Sequence, residues 1–128
     1  MRAEHAAIFA HFPDWDIAVV GSSLRNFVTA RDIDVLFRAS QDFRQLAREV
    51  GVRYAGGWNM GEARIHRLNY TVPGLDKPVQ LIQRSTVEDF DQWPHAVLLR
   101  DGTLLHEGQF YDKPGPASRA RQDLPTAD

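Results

Sequence analysis

The chain of 128 residues contains no cysteine. That excludes disulfides, thiolate zinc sites and thiol nucleophiles together, and it points to a reducing compartment. Long apolar runs are missing too: nothing approaches the roughly 20 residues that a membrane span needs. The N-terminal stretch MRAEHAAIFAHF lacks the apolar h-region of a secretory signal. The expected location is therefore cytoplasmic, with no membrane partner. There is no basic excess, since 15 Lys and Arg stand against 17 Asp and Glu, a formal net charge of -2. A protein built mainly to coat nucleic acid would be basic overall, although a local basic patch stays open. No GKS/T phosphate loop and no Ser-His-Asp set can be read. His5, His11, His95 and His106 have no metal-ligand spacing among themselves. What is present is a 43% hydrophobic, 25% charged chain, a composition that folds around a core.

Its length fits one domain, placed at residues 1–110, with a loosely held tail at 111–128 that is rich in Pro, Ser, Arg and Asp. Residues 2–12 read as a short helix with Ile8, Phe9 and Phe12 on its apolar side, stopped by Pro13. WDIAVV at 15–20 is a buried strand that ends at Gly21. Residues 22–28 can form a short helix capped by Ser22 or Ser23. DIDVLF at 32–37 is a second strand, with Ile33, Val35 and Phe37 on one face and Asp32, Asp34 and Leu36 on the other. Ser40 is the expected cap of an amphipathic helix over 41–50, closed by Gly51. RYAGGWNMG at 53–61 reads as a turn-rich connection, 62–72 as a long strand, Pro73-Gly74 as a turn and 78–83 as the returning strand. A short helix over 86–93, capped by Ser85 or Thr86, and a hairpin over 95–107 turning at Asp101-Gly102 complete the series. The fold class is α/β, with a mixed sheet of about five strands and helices mainly on one face.

The chemistry concentrates in Val19-Val20-Gly21-Ser22-Ser23-Leu24-Arg25 and Asp32-Ile33-Asp34-Val35. A glycine lets the backbone come close to a phosphate. Free amides at the start of the next helix favour an anion, and a serine hydroxyl can donate to a phosphate oxygen. Two aspartates at i and i+2 of a strand share a face, with Cα atoms roughly 6 to 7 Å apart. Side by side they repel, and a hard divalent cation relieves that repulsion while it also takes phosphate oxygens.

At these residues the chain resembles the nucleotidyltransferase superfamily, the DNA polymerase β-like fold. The family signature is Gly-Ser after the first strand and, about ten residues on, Asp-x-Asp on the next. Here nine residues separate Ser22 from Asp32. The resemblance implies a small stand-alone member with the minimal fold of that family. It implies Mg²⁺ or Mn²⁺ on Asp32 and Asp34 as the catalytic pair, and a nucleoside triphosphate held by Gly21, Ser22, Ser23 and Arg25. It implies transfer of a nucleoside monophosphate to an acceptor hydroxyl on a protein, an RNA or a small molecule. The family places a third carboxylate on a later central strand, just before an apolar pair. The matching stretch is Lys77-Pro78-Val79-Gln80-Leu81-Ile82, and the position holds Gln80. An amide is no base and a poorer ligand for a hard cation. Either Glu62, Asp76 or Glu88 takes the place of that acid, or the scaffold serves as a binding or regulatory module with impaired catalysis. Three further readings concern the remaining polar residues. Trp58, beside Asn59 in a glycine-rich loop, either stacks on a base or folds over the core. Arg64, His66, Arg67 and Arg84 form either a basic strip or a solvated strand face, and Asp91 and Trp93 read as cap and core.

Overall fold

The computed structural model describes residues 1–110; the expectation of a loosely held tail at 111–128 lies outside the described residues. Three α-helices, α1 (Ala3–His11), α2 (Ser22–Arg25) and α3 (Phe43–Val50), alternate with strands β1 (Ile17–Val20), β2 (Ile33–Phe37), β3 (Trp58–Met60), β4 (Ala63–Tyr70), β5 (Val79–Arg84), β6 (Val97–Leu98) and β7 (Leu104–Leu105). The strands form one sheet in the order β3-β4-β5-β2-β1-β6-β7. Only β2 and β5 run parallel; every other neighbour is antiparallel. The α/β class and the mixed sheet stand as expected, but the sheet has seven strands rather than about five. One addition is β3, which the glycines around it had marked as loop, and the other comes from counting both short strands of the C-terminal hairpin.

The period-2 pattern of each strand sends its residues to two faces. On one face Val19, Val35, Phe37, Leu68 and Leu81 meet Ile8, Phe9 and Phe12 of α1 and Phe43, Leu46 and Ala47 of α3, forming the larger core. On the other, Ala18, Val20, Leu36, Ile82 and Val97 are covered by Val87 and Phe90 from the segment after β5. That segment is no regular helix over 86–93. It contains a single 3-10 turn, Phe90–Gln92, in which Gln92 Oε1 accepts from the amides of Glu88 and Asp89 at 2.9 Å. Asp89 rather than Ser85, Thr86 or Asp91 therefore sits at the cap position, whereas Trp93 does pack against the smaller core.

Local signals placed the remaining ends within a few residues. The Arg100 guanidinium closes the end of α1 by donating to the carbonyls of Phe9, Phe12 and Trp15 at 2.6, 2.9 and 2.8 Å. At the start of α3 the cap is Asp42, whose Oδ1 accepts from the Arg44 and Gln45 amides at 3.1 Å. Ser40 is instead held by Glu88, through its amide at 2.7 Å and its hydroxyl at 2.6 Å. No helix among the described residues is long and apolar enough to cross a membrane.

Candidate functional site

The end of β1 and the start of β2 meet because the two strands are antiparallel neighbours, with Val20 opposite Asp34. The chain leaves Val20 through Gly21, whose φ of 86° and ψ of -166° belong to a region open essentially to glycine alone. The reason lies next door: a Cβ on Gly21 would fall 2.3 Å from Asp34 Oδ2. The bend thus lies directly against the carboxylate, with no side chain between them.

Beyond the bend, α2 makes one turn, closed by Leu24 N donating to Gly21 O at 3.2 Å and Asn26 N to Ser22 O at 3.0 Å. Its opening amides have no partner inside so short a helix. Ser22 is half-buried, and Arg25 is exposed at the far end of the turn. Ser23 points inward. Its hydroxyl lies 3.2 Å from Nε2 of His5, a buried residue of α1. Burial, aided by the nearby Arg2 charge, lowers the pKa of His5 from 6.5 to about 4, so the ring is neutral at pH 7. His5 therefore ties the glycine-serine bend to α1 without bringing a charge into the core.

Asp32 immediately precedes β2 and Asp34 is its second residue; both are half-buried. Asp34 stands on the face away from α1 and α3, because Ile33 and Val35 enter the larger core. Across the parallel ladder its register partner is Gln80, and the partner of Gln80 on β4 is Asn69. The three side chains make a polar row on the open face. Within it Gln80 Nε2 donates to Asn69 Oδ1 at 3.3 Å, which turns the Gln80 carbonyl oxygen away from Asn69.

The loop that delivers Asp32 is fixed from β5's approach. Lys77 Nζ donates to Ala30 O at 2.6 Å and Val28 O at 3.4 Å, and Ile33 N donates to Pro78 O at 3.0 Å. Sequence reasoning missed Asn69, Lys77 and His5. Asn69 follows from the Pro73-Gly74 turn once the β4–β5 register is fixed, whereas no local signal exists for Lys77 or His5.

The acids considered as replacements at Gln80 fall in different places. Glu62 lies in the turn before β4, at the end of the sheet where β5 finishes, and so away from the polar row. Glu88 lies beyond the end of β5, and its hydrogen bonds from Ser40 hold its carboxyl below the usual range. Asp76 is exposed in the β4–β5 connection, at the same end of the sheet as Gln80. Among the described residues no group of three or more His, Cys, Asp or Glu could hold a metal ion. Asp32 and Asp34 together number two carboxylates, fewer than a fully protein-built cage needs; Mg²⁺ is commonly held by one or two carboxylates completed by phosphate oxygens.

The basic strip divides between the two faces. Arg64 and His66 belong to the helix side, where the Tyr54 hydroxyl bonds His66 Nδ1 and the Phe43 ring lies 5.6 Å from the imidazole. Burial, then Arg64 and Arg44, lower the pKa of His66. Arg67 and Arg84 take the open face, where Arg67 lies 5.5 Å over Trp58. Comparison of the chain with protein-family models, with curated proteins and with solved structures finds no match.

Proposed function

We propose that the chain is a metal-dependent nucleotidyltransferase of the minimal polymerase β-like kind. The observation that carries this reading is the contact between the Gly21 bend and the Asp34 carboxylate: a Cβ there would lie 2.3 Å from Oδ2. A backbone stripped of its side chain and set against an acid suits a cation and a phosphate that meet between them. Asp32 and Asp34 would hold Mg²⁺ or Mn²⁺, which supplies charge neutralisation for the triphosphate and acidifies a nearby hydroxyl. The Ser22 hydroxyl and the opening amides of α2 bind phosphate oxygens, Ser23 is fixed by His5, and Arg25 lies at the turn's outer end. In the transfer an acceptor hydroxyl oxygen bonds to the α-phosphorus as the α–β bridging bond breaks. Pyrophosphate leaves, and the hydroxyl proton passes to solvent or a carboxylate.

One observation favours a second reading, a nucleotide-binding module with weakened catalysis. Gln80 occupies the register position beside Asp34 and spends its amide nitrogen on Asn69. A single experiment separates the two. Each α-labelled nucleoside triphosphate is incubated with the protein, Mg²⁺ or Mn²⁺, and protein or RNA acceptors, while nucleotide binding is followed in parallel. A transferase labels an acceptor, and Asp34→Asn abolishes labelling. A binding module binds nucleotide without labelling, and Gln80→Glu then confers transfer. Absence of both binding and transfer would overturn the proposal.

A further inference from the structure

A cavity of about 190 Å³ opens on the helix side of the sheet, lined by Arg44, Ala47, Arg48, Val52 and Tyr54. Its floor is apolar: Ala47 is buried, and Val52 and Tyr54 are half-buried against the larger core. Its rim is cationic. Arg44 and Arg48 are both exposed and stand four residues apart on α3, which makes them neighbours on one helix surface. Like charges so placed repel. The nearest acids in sequence are engaged elsewhere. Asp42 caps the Arg44 and Gln45 amides, and Glu49 accepts from Trp15 Nε1 at 2.9 Å and from Gln45 Nε2 at 3.3 Å. Neither arginine makes an ion pair among the described residues.

Arg48 spends one N–H group on Gln45 Oε1 at 2.8 Å, and the Arg44 guanidinium lies 5.5 Å from the centre of the Tyr54 ring. A third exposed guanidinium, that of Arg64 on β4, acts on the same ring: burial raises the Tyr54 pKa, and Arg44 and Arg64 oppose that rise. The aromatic wall is fixed in place. The Tyr54 hydroxyl bonds His66 Nδ1, and the Tyr54 ring meets Phe43 edge-on at 5.5 Å. A Cβ on Gly57 would fall 2.7 Å from the same His66 nitrogen, so the loop after Tyr54 closes directly against the imidazole.

We propose that this cavity binds a small phosphate monoester, with the phosphate held by Arg44 and Arg48 and the body of the ligand laid on Ala47, Val52 and the Tyr54 ring. Two guanidinium forks present more N–H groups than the two oxygens and single charge of a carboxylate can use, whereas a dianion with three terminal oxygens meets both. The volume sets the size of the ligand, since it falls below the roughly 300 Å³ at which drug-sized sites begin. The cavity uses none of Gly21, Ser22, Asp32 or Asp34, so it stands whether or not those residues transfer nucleotides.

The test is titration of the full chain with phenyl phosphate, in EDTA and without nucleotide so that the metal site plays no part. Calorimetry gives the affinity, and the Nε–H signals of Arg44 and Arg48 in nitrogen-resolved NMR spectra give the place. A dissociation constant of about 1 mM or below is expected, with both Nε–H signals shifting. Inorganic phosphate, which lacks the ring, and phenylacetate, which lacks the second charge, each bind several-fold more weakly. Arg44→Gln and Arg48→Gln each weaken phenyl phosphate binding about tenfold, Arg44→Lys weakens it less, and Ser22→Ala and Asp34→Asn leave it unchanged. Thermal melts confirm that each variant is folded. No saturation by about 20 mM, full affinity in both glutamine variants, or loss of binding in Ser22→Ala overturns the proposal. So does phenylacetate or inorganic phosphate bound as tightly as phenyl phosphate.

Discussion

At Gly21 a hydrogen atom stands where any other residue would carry a Cβ, and two separate penalties guard the position. The backbone there lies in a glycine-only region, and a Cβ would meet Asp34 Oδ2 at 2.3 Å. Gly51 carries the first penalty in milder form and none of the second: its φ is 72°, left-handed, and a Cβ there meets nothing within 4 Å. The pair therefore separates backbone strain from contact. Gly51→Ala is expected to cost about 1 kcal/mol of unfolding free energy. Gly21→Ala is expected to cost about 3 kcal/mol or more, because the Asp34 side chain must also move. Urea unfolding of both variants measures the difference; equal losses would show that the bend does not press on the carboxylate. Gly21, Ser22, Asp32 and Asp34 stood out in the sequence as a glycine-serine bend followed, nine residues on, by two aspartates in one strand, a residue type that strands disfavour. Asn69, Lys77 and His5 were not, because their roles exist only through partners on distant segments: Gln80, the carbonyls of Val28 and Ala30, and Ser23.

Where an element begins depends on which of several competent residues the rest of the fold leaves available. Ser40 and Asp42 are both good helix caps. Glu88, 48 residues away, claims Ser40 and leaves Asp42 to cap α3. Asp42→Ala should accordingly destabilise the protein by about 1 kcal/mol in chemical denaturation, with fraying of α3 visible as faster amide exchange at Arg44 and Gln45. Ser40→Ala should leave those amides protected, and the reverse pattern would return the cap to Ser40. The same dependence explains the other elements the sequence misplaced. Gly56, Gly57 and Gly61 outweigh any strand signal in Trp58–Met60, yet the edge of β4 supplies Ile65 and Ala63 as pairing partners. Between Ser85 and Trp93 the segment must put both Val87 and Phe90 onto the smaller core, and it does so with a turn instead of a regular helix.

For the whole molecule, the division of the sheet into a closed helix face and a partly open face has a consequence for acid stability. α1 reaches the glycine-serine bend through His5, which is 3% exposed in the folded protein and bonded to Ser23. Its pKa falls from 6.5 in the unfolded chain to about 4 in the folded one. Above pH 6.5 the ring is neutral in both states and costs nothing. Between pH 6.5 and 4 the unfolded chain takes up a proton that the folded protein resists, so stability falls with pH through that window and levels off below it. A shift of this size corresponds to about 3 kcal/mol. Glu88, whose carboxyl is held low by Ser40, adds a further loss only as pH falls below the ordinary glutamate range. His5→Phe removes the first contribution and keeps the second. At pH 7 that variant should be less stable than the wild type, since the Ser23 hydroxyl loses its partner. As pH falls to 4 the gap should close by about 3 kcal/mol and can reverse. Denaturation curves recorded at half-unit steps from pH 7 to pH 4 measure the gap, and one that stays constant across the window would mean that His5 is not held neutral by its burial.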